Sequence, residues 1–440
     1  MPAPREVYAS RLAAVLTMVG VAVGLGNVWR FPYMMGANGG SAFLFVYLLF
    51  VVFFGLPAVM AEWALGRETG SGPIGAFSAA FGSRFGLALG LLLSTAVLVA
   101  DSYYLVVIAL VFYSAWFSAA RGFGGEGAME ALNEGLGSGP IVGAIGVATL
   151  IAGLFVMAFG LQRGIVRSSK WCVPFFGVVV IYLIVNSFLL EGAPAKFAEF
   201  LRPDFAAMDM GNVFLALGQA FFSLSLGGTF FVIYGSYLKA EEDIPITAVW
   251  TSLGDAGAAL LASLFIVPTI LVFGLEMEKE GYMLTFNTLP RLFAQLPGGR
   301  LLGTFFLVAF ALVAFLSNIA ALQVFIGTVG ERFDLRFRTL APIVGAVEIA
   351  LILFFAFNQN LIGAFDRALG SGMQCFGAAM ALFALTWGLG RSTALRQIFR
   401  TTEGALPKLY FFWVKWVVPL GVLVALAGWI LEEAKIFSAD

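Results

Sequence analysis

Residues 20–32 read Gly-Val-Ala-Val-Gly-Leu-Gly-Asn-Val-Trp-Arg-Phe-Pro, inside an apolar run where a first membrane-spanning helix should lie. Here the backbone itself could do chemistry. Gly24 and Gly26 weaken a helix, and Pro32 removes an amide donor. In hydrocarbon every freed amide and carbonyl needs a partner. A helix broken at this point presents amides at one new end, which suit a carboxylate. The other new end presents carbonyls, which suit a hard cation or an ammonium. A second interruption, Ser223-Leu224-Ser225-Leu226-Gly227-Gly228-Thr229, follows about 200 residues later. Two such breaks facing each other would hold a zwitterion, with sodium among the remaining carbonyls and hydroxyls. Asn27, Ser223 and Ser225 add side-chain oxygens. The competing reading is a pair of glycine packing faces. Paired interruptions at matching places, with polar residues beside both, favour a site.

Ionisable residues within apolar runs are costly and usually functional. Arg30 lies just outward of the first break, and Asp366 precedes the apolar part of the tenth run, near the outer surface. Together they could close over a bound molecule; the alternative for Arg30 is simple snorkelling. Glu62 reads best as an acceptor for freed amides. Asp255 is either a sodium ligand or a buried acid, with the ligand favoured. Asp101 could meet a cationic group, hold a proton or cap a helix break. Glu348 and Lys415 have no partner legible in the sequence.

The elements that must carry these residues are helices. The chain has 440 residues, 60% hydrophobic and 12% charged, with 46 Phe, no His and a net charge of −1. Soluble domains carry about 25% charged residues. With a mean hydropathy of +0.95, this is an all-α polytopic membrane protein. Near-neutral charge excludes a nucleic-acid footprint. The absence of His removes imidazole proton relays and His metal sites. Cys172 and Cys375 sit in apolar runs and read as packing residues. The start, Met1–Arg11, reads as a cytoplasmic tail rather than a signal peptide.

Eleven runs are long enough to span: roughly 11–35, 41–66, 86–120, 140–159, 165–190, 211–238, 246–275, 300–331, 340–357, 370–389 and 408–431. No connection could hold a second soluble domain, so 1–440 is a single transmembrane domain. Basic residues concentrate in alternate connections, among them Arg5, Arg11, Arg67, Arg163, Lys170, Lys239, Arg336, Arg396 and Arg400. That asymmetry predicts a multi-pass protein of a cell inner or plasma membrane, N-terminus cytoplasmic and C-terminus outside. The breaks fall in runs one and six. The reading is therefore a five-plus-five inverted repeat, about 11–190 and 211–390, with an extra helix at about 408–431.

The segments Gly24-Leu25-Gly26-Asn27-Val28-Trp29-Arg30-Phe31-Pro32, Asn38-Gly39-Gly40, Glu62-Trp63-Ala64-Leu65-Gly66-Arg67 and Gly218-Gln219-Ala220-Phe221-Phe222-Ser223-Leu224-Ser225 resemble the neurotransmitter:sodium symporter family. The resemblance is clear across runs one to eight and looser beyond. It implies a first sodium site from the Ala22 carbonyl, Asn27, Ser223 and Asp255. That carboxylate would supply the negative charge that chloride supplies in animal relatives. A second sodium site would use carbonyls of Gly20, Val23 and Val313 and the hydroxyl of Ser317. The substrate carboxylate would meet amides near Leu25 and Gly26 and the Tyr104 hydroxyl. Its amine would meet carbonyls around Ala22, Phe222 and Ser225. Tyr104 and Phe222 would form an inner lid below Arg30 and Asp366, and Arg5 with Glu331 a cytoplasmic gate pair.

Three departures shape the expectation. Gly24 stands where monoamine-carrying members have an aspartate, which argues for a carboxylate-bearing amino acid. Leu316 stands where the family usually has Thr or Asp, so one ligand of the second sodium site is missing. Ala100, Gly228 and Ala321, beside Ser317, stand where a bacterial member carries bulkier apolar residues, so the pocket is enlarged. The function implied is a sodium-coupled symporter, not an enzyme, importing an amino acid with a large hydrophobic or aromatic side chain. The alternatives are a sodium-independent or proton-coupled carrier or exchanger, and a substrate-sensing receptor without flux.

Overall fold

A chain this apolar can satisfy its backbone in lipid only through helices or a closed barrel, and among the described residues there are helices and no strands. The computed structural model describes residues 6–24, 26–275 and 284–437, with side chains through Ile430. Arg5 and Leu25, named above, lie outside the described residues.

The helices are α1 (Arg11–Ala22), α2 (Gly26–Ala37), α3 (Ser41–Thr69), α4 (Pro73–Phe81), α5 (Ser83–Ala120), α6 (Ala128–Leu136), α7 (Gly139–Ala158), α8 (Leu161–Phe188), α9 (Ala193–Leu201), α10 (Met210–Ser223), α11 (Phe230–Gly235) and α12 (Ile244–Val272). There follow α13 (284–295), α14 (Gly299–Phe333), α15 (Phe337–Phe357), α16 (Gln359–Leu389), α17 (Arg391–Phe399) and α18 (Ala405–Ile430). Among the described residues nine of these are long and apolar enough to cross a bilayer, and α1 with α2, bent by 64°, makes a tenth. The run expected at 211–238 is not a continuous span. It is a 14-residue α10 and a 6-residue α11 separated by irregular backbone at 224–229. The interruption falls where the second break was expected, at Ser223–Thr229, so among the described residues run six crosses as two short helices rather than as one span.

The longest helices, α5 and α14, pack along each other. They place Asp101 and Tyr104 of the first beside Ser317 and Asn318 of the second. α1 starts at Ser10, whose side chain accepts from the Ala13 amide. It stops where Val23 turns extended, at φ −70° and ψ 108°. At one end of the bundle the basic side chains are tied down. Arg11 Nε pairs with Glu242 Oε1 at 2.6 Å, and Arg67 Nη1 donates to the Glu242 carbonyl at 2.7 Å. Arg67 also donates to the Gln397 carbonyl, and Arg400 to the Glu241 carbonyl.

Candidate functional site

The first break is closed by its own asparagine. Asn27 Oδ1 accepts from the Gly24 amide at 3.1 Å, and the Asn27 amide donates to the Gly24 carbonyl at 3.3 Å. Gly24 has no room for a side chain, because a Cβ there would lie 2.8 Å from the Tyr104 hydroxyl. The second break contains left-handed residues that are not glycine: Ser225 at φ 54° and Thr229 at φ 59°. Such backbone costs about 1–3 kcal/mol per residue and tends to collect at functional sites. Gly227, at φ 79°, is required for a second reason. Its Cβ would lie 1.7 Å from the Gln374 carbonyl oxygen of α16. Its amide donates to Glu62 Oε1 at 2.8 Å, the acceptor role expected for that acid.

Between the breaks lies a buried oxygen cluster. Asn27, Ser223 and Asp255 are 1%, 2% and 0% exposed. Asn27 Nδ2 donates to Asp255 Oδ1 at 2.7 Å and to Ser223 Oγ at 3.3 Å. Ser223 Oγ donates to Asp255 Oδ2 at 2.6 Å. The carboxylate is therefore met by neutral donors only, in a setting where an uncompensated charge is expensive. Its donor set suits a hard monovalent cation. Ala22, the fourth expected contributor, lines the adjoining cavity.

The second expected ion site has a different character. Ser317 Oγ donates to the Val21 carbonyl at 3.1 Å. Gly20, Val23 and Val313 are buried nearby, but the side chain of Leu316 packs directly on Gly20, 2.7 Å from where a Cβ would stand. A methyl group of Leu316 thus stands against Gly20, and residue 316 brings no oxygen to it. Asn318, which could in principle replace that oxygen, is engaged elsewhere: its Nδ2 donates to Asp101 Oδ2 at 2.8 Å.

A cavity of about 140 Å³ adjoins these groups. Ala22, Gly26, Ala100, Tyr104, Phe222, Ser223, Ser225, Gly228, Ser317 and Ala321 all line it. Of the expected substrate-contacting residues, Leu25 alone is left aside, for the reason given above. The cavity is also lined by Asp101, Asp366, Leu93, Ala96, Val97, Leu369, Gly370, Met373 and Gln374, most of which sequence reasoning missed. The missing signal was helical spacing. Leu93, Ala96 and Val97 precede Ala100 by seven, four and three positions, and Leu369, Gly370, Met373 and Gln374 follow Asp366 by three, four, seven and eight.

The expected gate residues divide. The Arg30 guanidinium lies 4.5 Å from the centroid of the Phe222 ring, which itself packs on Gly26. Asp366 accepts from the Tyr103 hydroxyl at 3.3 Å and lies within electrostatic reach of Arg30. It precedes the apolar part of the tenth run, as expected, and lies inside α16, because the helix starts eleven residues earlier than that apolar part. Glu331 Oε2 accepts from the Gly72 amide at 2.8 Å, tying the end of α14 to the turn before α4. Lys415, without a partner in the sequence, lies 4.0 Å above the Trp387 ring centroid.

The comparisons with known proteins agree in direction. The profile of the Sodium:neurotransmitter symporter family matches residues 5–124 and 126–435. The sodium-dependent transporter YhdH of Bacillus subtilis is 28% identical over 433 residues, 95% of this chain and 96% of that one. A sodium-dependent transporter of Methanocaldococcus jannaschii is 28% identical over 424 residues, 91% of this chain and 85% of its own length. Among solved structures, the crystal structure of MhsT in complex with L-phenylalanine superposes with a TM-score of 0.85 at 29% identity, covering 96% of this chain and 99% of that one. The fold and the motifs around both breaks place this polytopic membrane protein in the sodium:neurotransmitter symporter family.

Proposed function

We propose that the chain is a symporter that couples inward movement of sodium to import of an amino acid with a large hydrophobic or aromatic side chain. One observation carries the reading: the buried Asn27–Ser223–Asp255 cluster borders the cavity through two of its members. Sodium on Asp255 and Ser223 offsets the buried carboxylate and adds a positive charge beside the substrate carboxylate. The first turn of α2 offers amides to that carboxylate. Carbonyls of the second break take the amine. Ala100, Gly228 and Ala321 leave room for the side chain, and a relative of the same fold is described in complex with L-phenylalanine.

Alternating access follows from the two-break design. In this scheme Phe222 with Arg30, and Tyr103 with Asp366, close one side of the cavity, and the family resemblance gives the other side to Glu331 and to Arg5, which lies outside the described residues. We place the N-terminus in the cytoplasm of a cell with this protein in its inner or plasma membrane, the two repeats spanning about 11–190 and 211–390 and a further helix lying at about 408–431. The packing of Leu316 on Gly20 favours coupling to one sodium ion, since the second site is short of an oxygen.

The test is thermal stabilisation of the purified protein by L-phenylalanine with and without sodium, followed by uptake into proteoliposomes. Stabilisation and uptake that both require sodium are the expected result. Uptake unaffected by replacing sodium with choline would overturn the coupling. Sodium-dependent stabilisation with no flux would indicate a sensor.

A further inference from the structure

Two carboxylates inside the bundle have no part in the scheme above. Asp101 on α5 and Glu348 on α15 are 2% and 0% exposed. The helices that carry them pack together, with the ring of Tyr103 on α5 against that of Phe355 on α15 at 5.7 Å between centroids. Asp101 Oδ2 is satisfied by Asn318 Nδ2. Among the described residues, Asp101 Oδ1, Asn318 Oδ1 and both Glu348 oxygens have no hydrogen-bond donor. Four buried oxygens on three mutually packed helices thus lack a donor among the described residues.

The charged surroundings do not compensate. The elements packed most closely on α15 are α5, α7 and α14. Within the described residues α7 carries no titratable group, and the charges of α14 and α15 other than Glu348 (Arg300, Glu331, Arg332 and Arg338) lie at their ends. On α5 the group that also feels Asp101 is Tyr103, whose hydroxyl is already given to Asp366. Two ionised carboxylates without a counter-charge inside the bundle are strongly disfavoured. One proton between them removes the mutual repulsion and supplies the absent donor. Asp101 also borders the cavity, while Glu348 does not.

We propose that Asp101, Glu348 and Asn318 form a proton-binding site beside the cavity, which exchanges its proton with cavity water through Asp101. On release the O–H bond of the shared carboxylic acid breaks, its electron pair stays on the carboxylate, and a water molecule becomes hydronium. A bound amino acid covers this exit, so substrate binding and proton exchange are linked. That link rests on the transport reading; the site itself does not.

The experiment uses the full chain, purified in detergent. Infrared spectra are taken near neutral pH in choline buffer, with and without sodium, for the wild type, Asp101→Asn, Glu348→Gln and, as a control, Glu62→Gln. The expected result is one carboxylic-acid C=O band, present with and without sodium and lost in both Asp101→Asn and Glu348→Gln but kept in Glu62→Gln. Absence of a band that both variants remove overturns the proposal. A band that exists only when sodium is withdrawn overturns it too, since the site then holds sodium. If neither variant folds, the wild type decides through a dye measurement of pH in weak buffer on adding saturating L-phenylalanine. A pH step of up to one proton per protein supports the site, and none, where thermal stabilisation proves binding, overturns it. Failure of L-phenylalanine to bind would count against the transport reading alone, and the infrared result would still stand for the site.

Discussion

Replacing Asp255 by Asn separates the charge of the first ion site from its shape. The side chain keeps its volume, and the hydrogen bonds it now makes can be kept. The oxygen of the new amide still accepts from Asn27 Nδ2, now 2.7 Å from Asp255 Oδ1, and the NH₂ group faces Ser223 Oγ. Ser223 need only rotate its hydroxyl to accept instead of donate. Fold stability should therefore change little, while a bound cation loses its formal counter-charge. At about 4 Å and an effective dielectric constant of about 20, that attraction is worth about 4 kcal/mol. Dehydration of the carboxylate and ion offsets part of it, leaving about 1.5–3 kcal/mol, the range for hydrogen bonds and contacts to charged groups. Since 1.4 kcal/mol is a factor of ten, sodium affinity should fall by roughly 10- to 100-fold. The assay is the sodium concentration giving half-maximal stabilisation by saturating L-phenylalanine, read beside the melting temperature without ligand. An unchanged sodium midpoint in a normally folded variant would refute the assignment of Asp255 to the ion.

Three further perturbations probe other parts of the same construction. Gly227→Ala places a methyl group 1.7 Å from the Gln374 carbonyl at a φ of 79°; a loss of at least about 2 kcal/mol is expected, read as a lowered melting temperature, and an unchanged one would show that the approach of α16 is not tight. Leu316→Thr puts an oxygen where methyl groups now touch Gly20; stability should drop by about 1–3 kcal/mol, while the dependence of binding on sodium steepens, and an unsteepened curve would show that Leu316 is not what limits the second site. Ala100→Leu fills part of the 140 Å³ cavity; L-phenylalanine binding should weaken by about 10-fold or more while a small amino acid such as L-alanine is less affected, and equal weakening of both would remove Ala100 from the pocket wall.

The spanning helices were legible in the sequence because twenty apolar residues in lipid have few alternatives. Hydropathy placed most span ends within a few residues, as for Gly139–Ala158 and Gly299–Phe333. It failed where apolarity and helicity part company. α16 starts at Gln359, well before the apolar run at 370–389, so the helical turns that bring Asp366 and Leu369 to the cavity wall lie outside that run. The short helices α4, α6, α9 and α17 were read as hydrophilic connections, since nine residues of mixed polarity resemble a loop when only spans are sought. The cavity residues that came from motif resemblance were brought together, and those that needed only the turn-by-turn spacing of α5 and α16 were overlooked. The pairing of Asp101 with Asn318 was the least legible, because it depends on how α5 and α14 are rotated about their axes.

That rotation matters for the whole site. An interrupted helix in a membrane is tolerable only if its freed groups find partners, and every partner that the scaffold supplies is one fewer for a ligand. In the second break, Glu62 reaches the Gly227 amide from α3, and α16 closes on the same glycine from the other side. Glu62 reaches in from outside the cavity, whereas Gln374 belongs to its wall. They hold Ser225 and Thr229 in left-handed backbone at a cost of about 1–3 kcal/mol each, which unrestrained polypeptide would relieve by completing the helix. In the first break, Asn27 uses its oxygen on the Gly24 amide and its nitrogen on Asp255. A cation that takes its place beside Asp255 must turn that amide over, releasing the Gly24 amide at the same moment. Ion and substrate binding are then coupled through one side chain, and Asn27→Ala should lower affinity for both together. Loss of sodium affinity with L-phenylalanine affinity intact at saturating sodium would separate them and break this step of the reasoning.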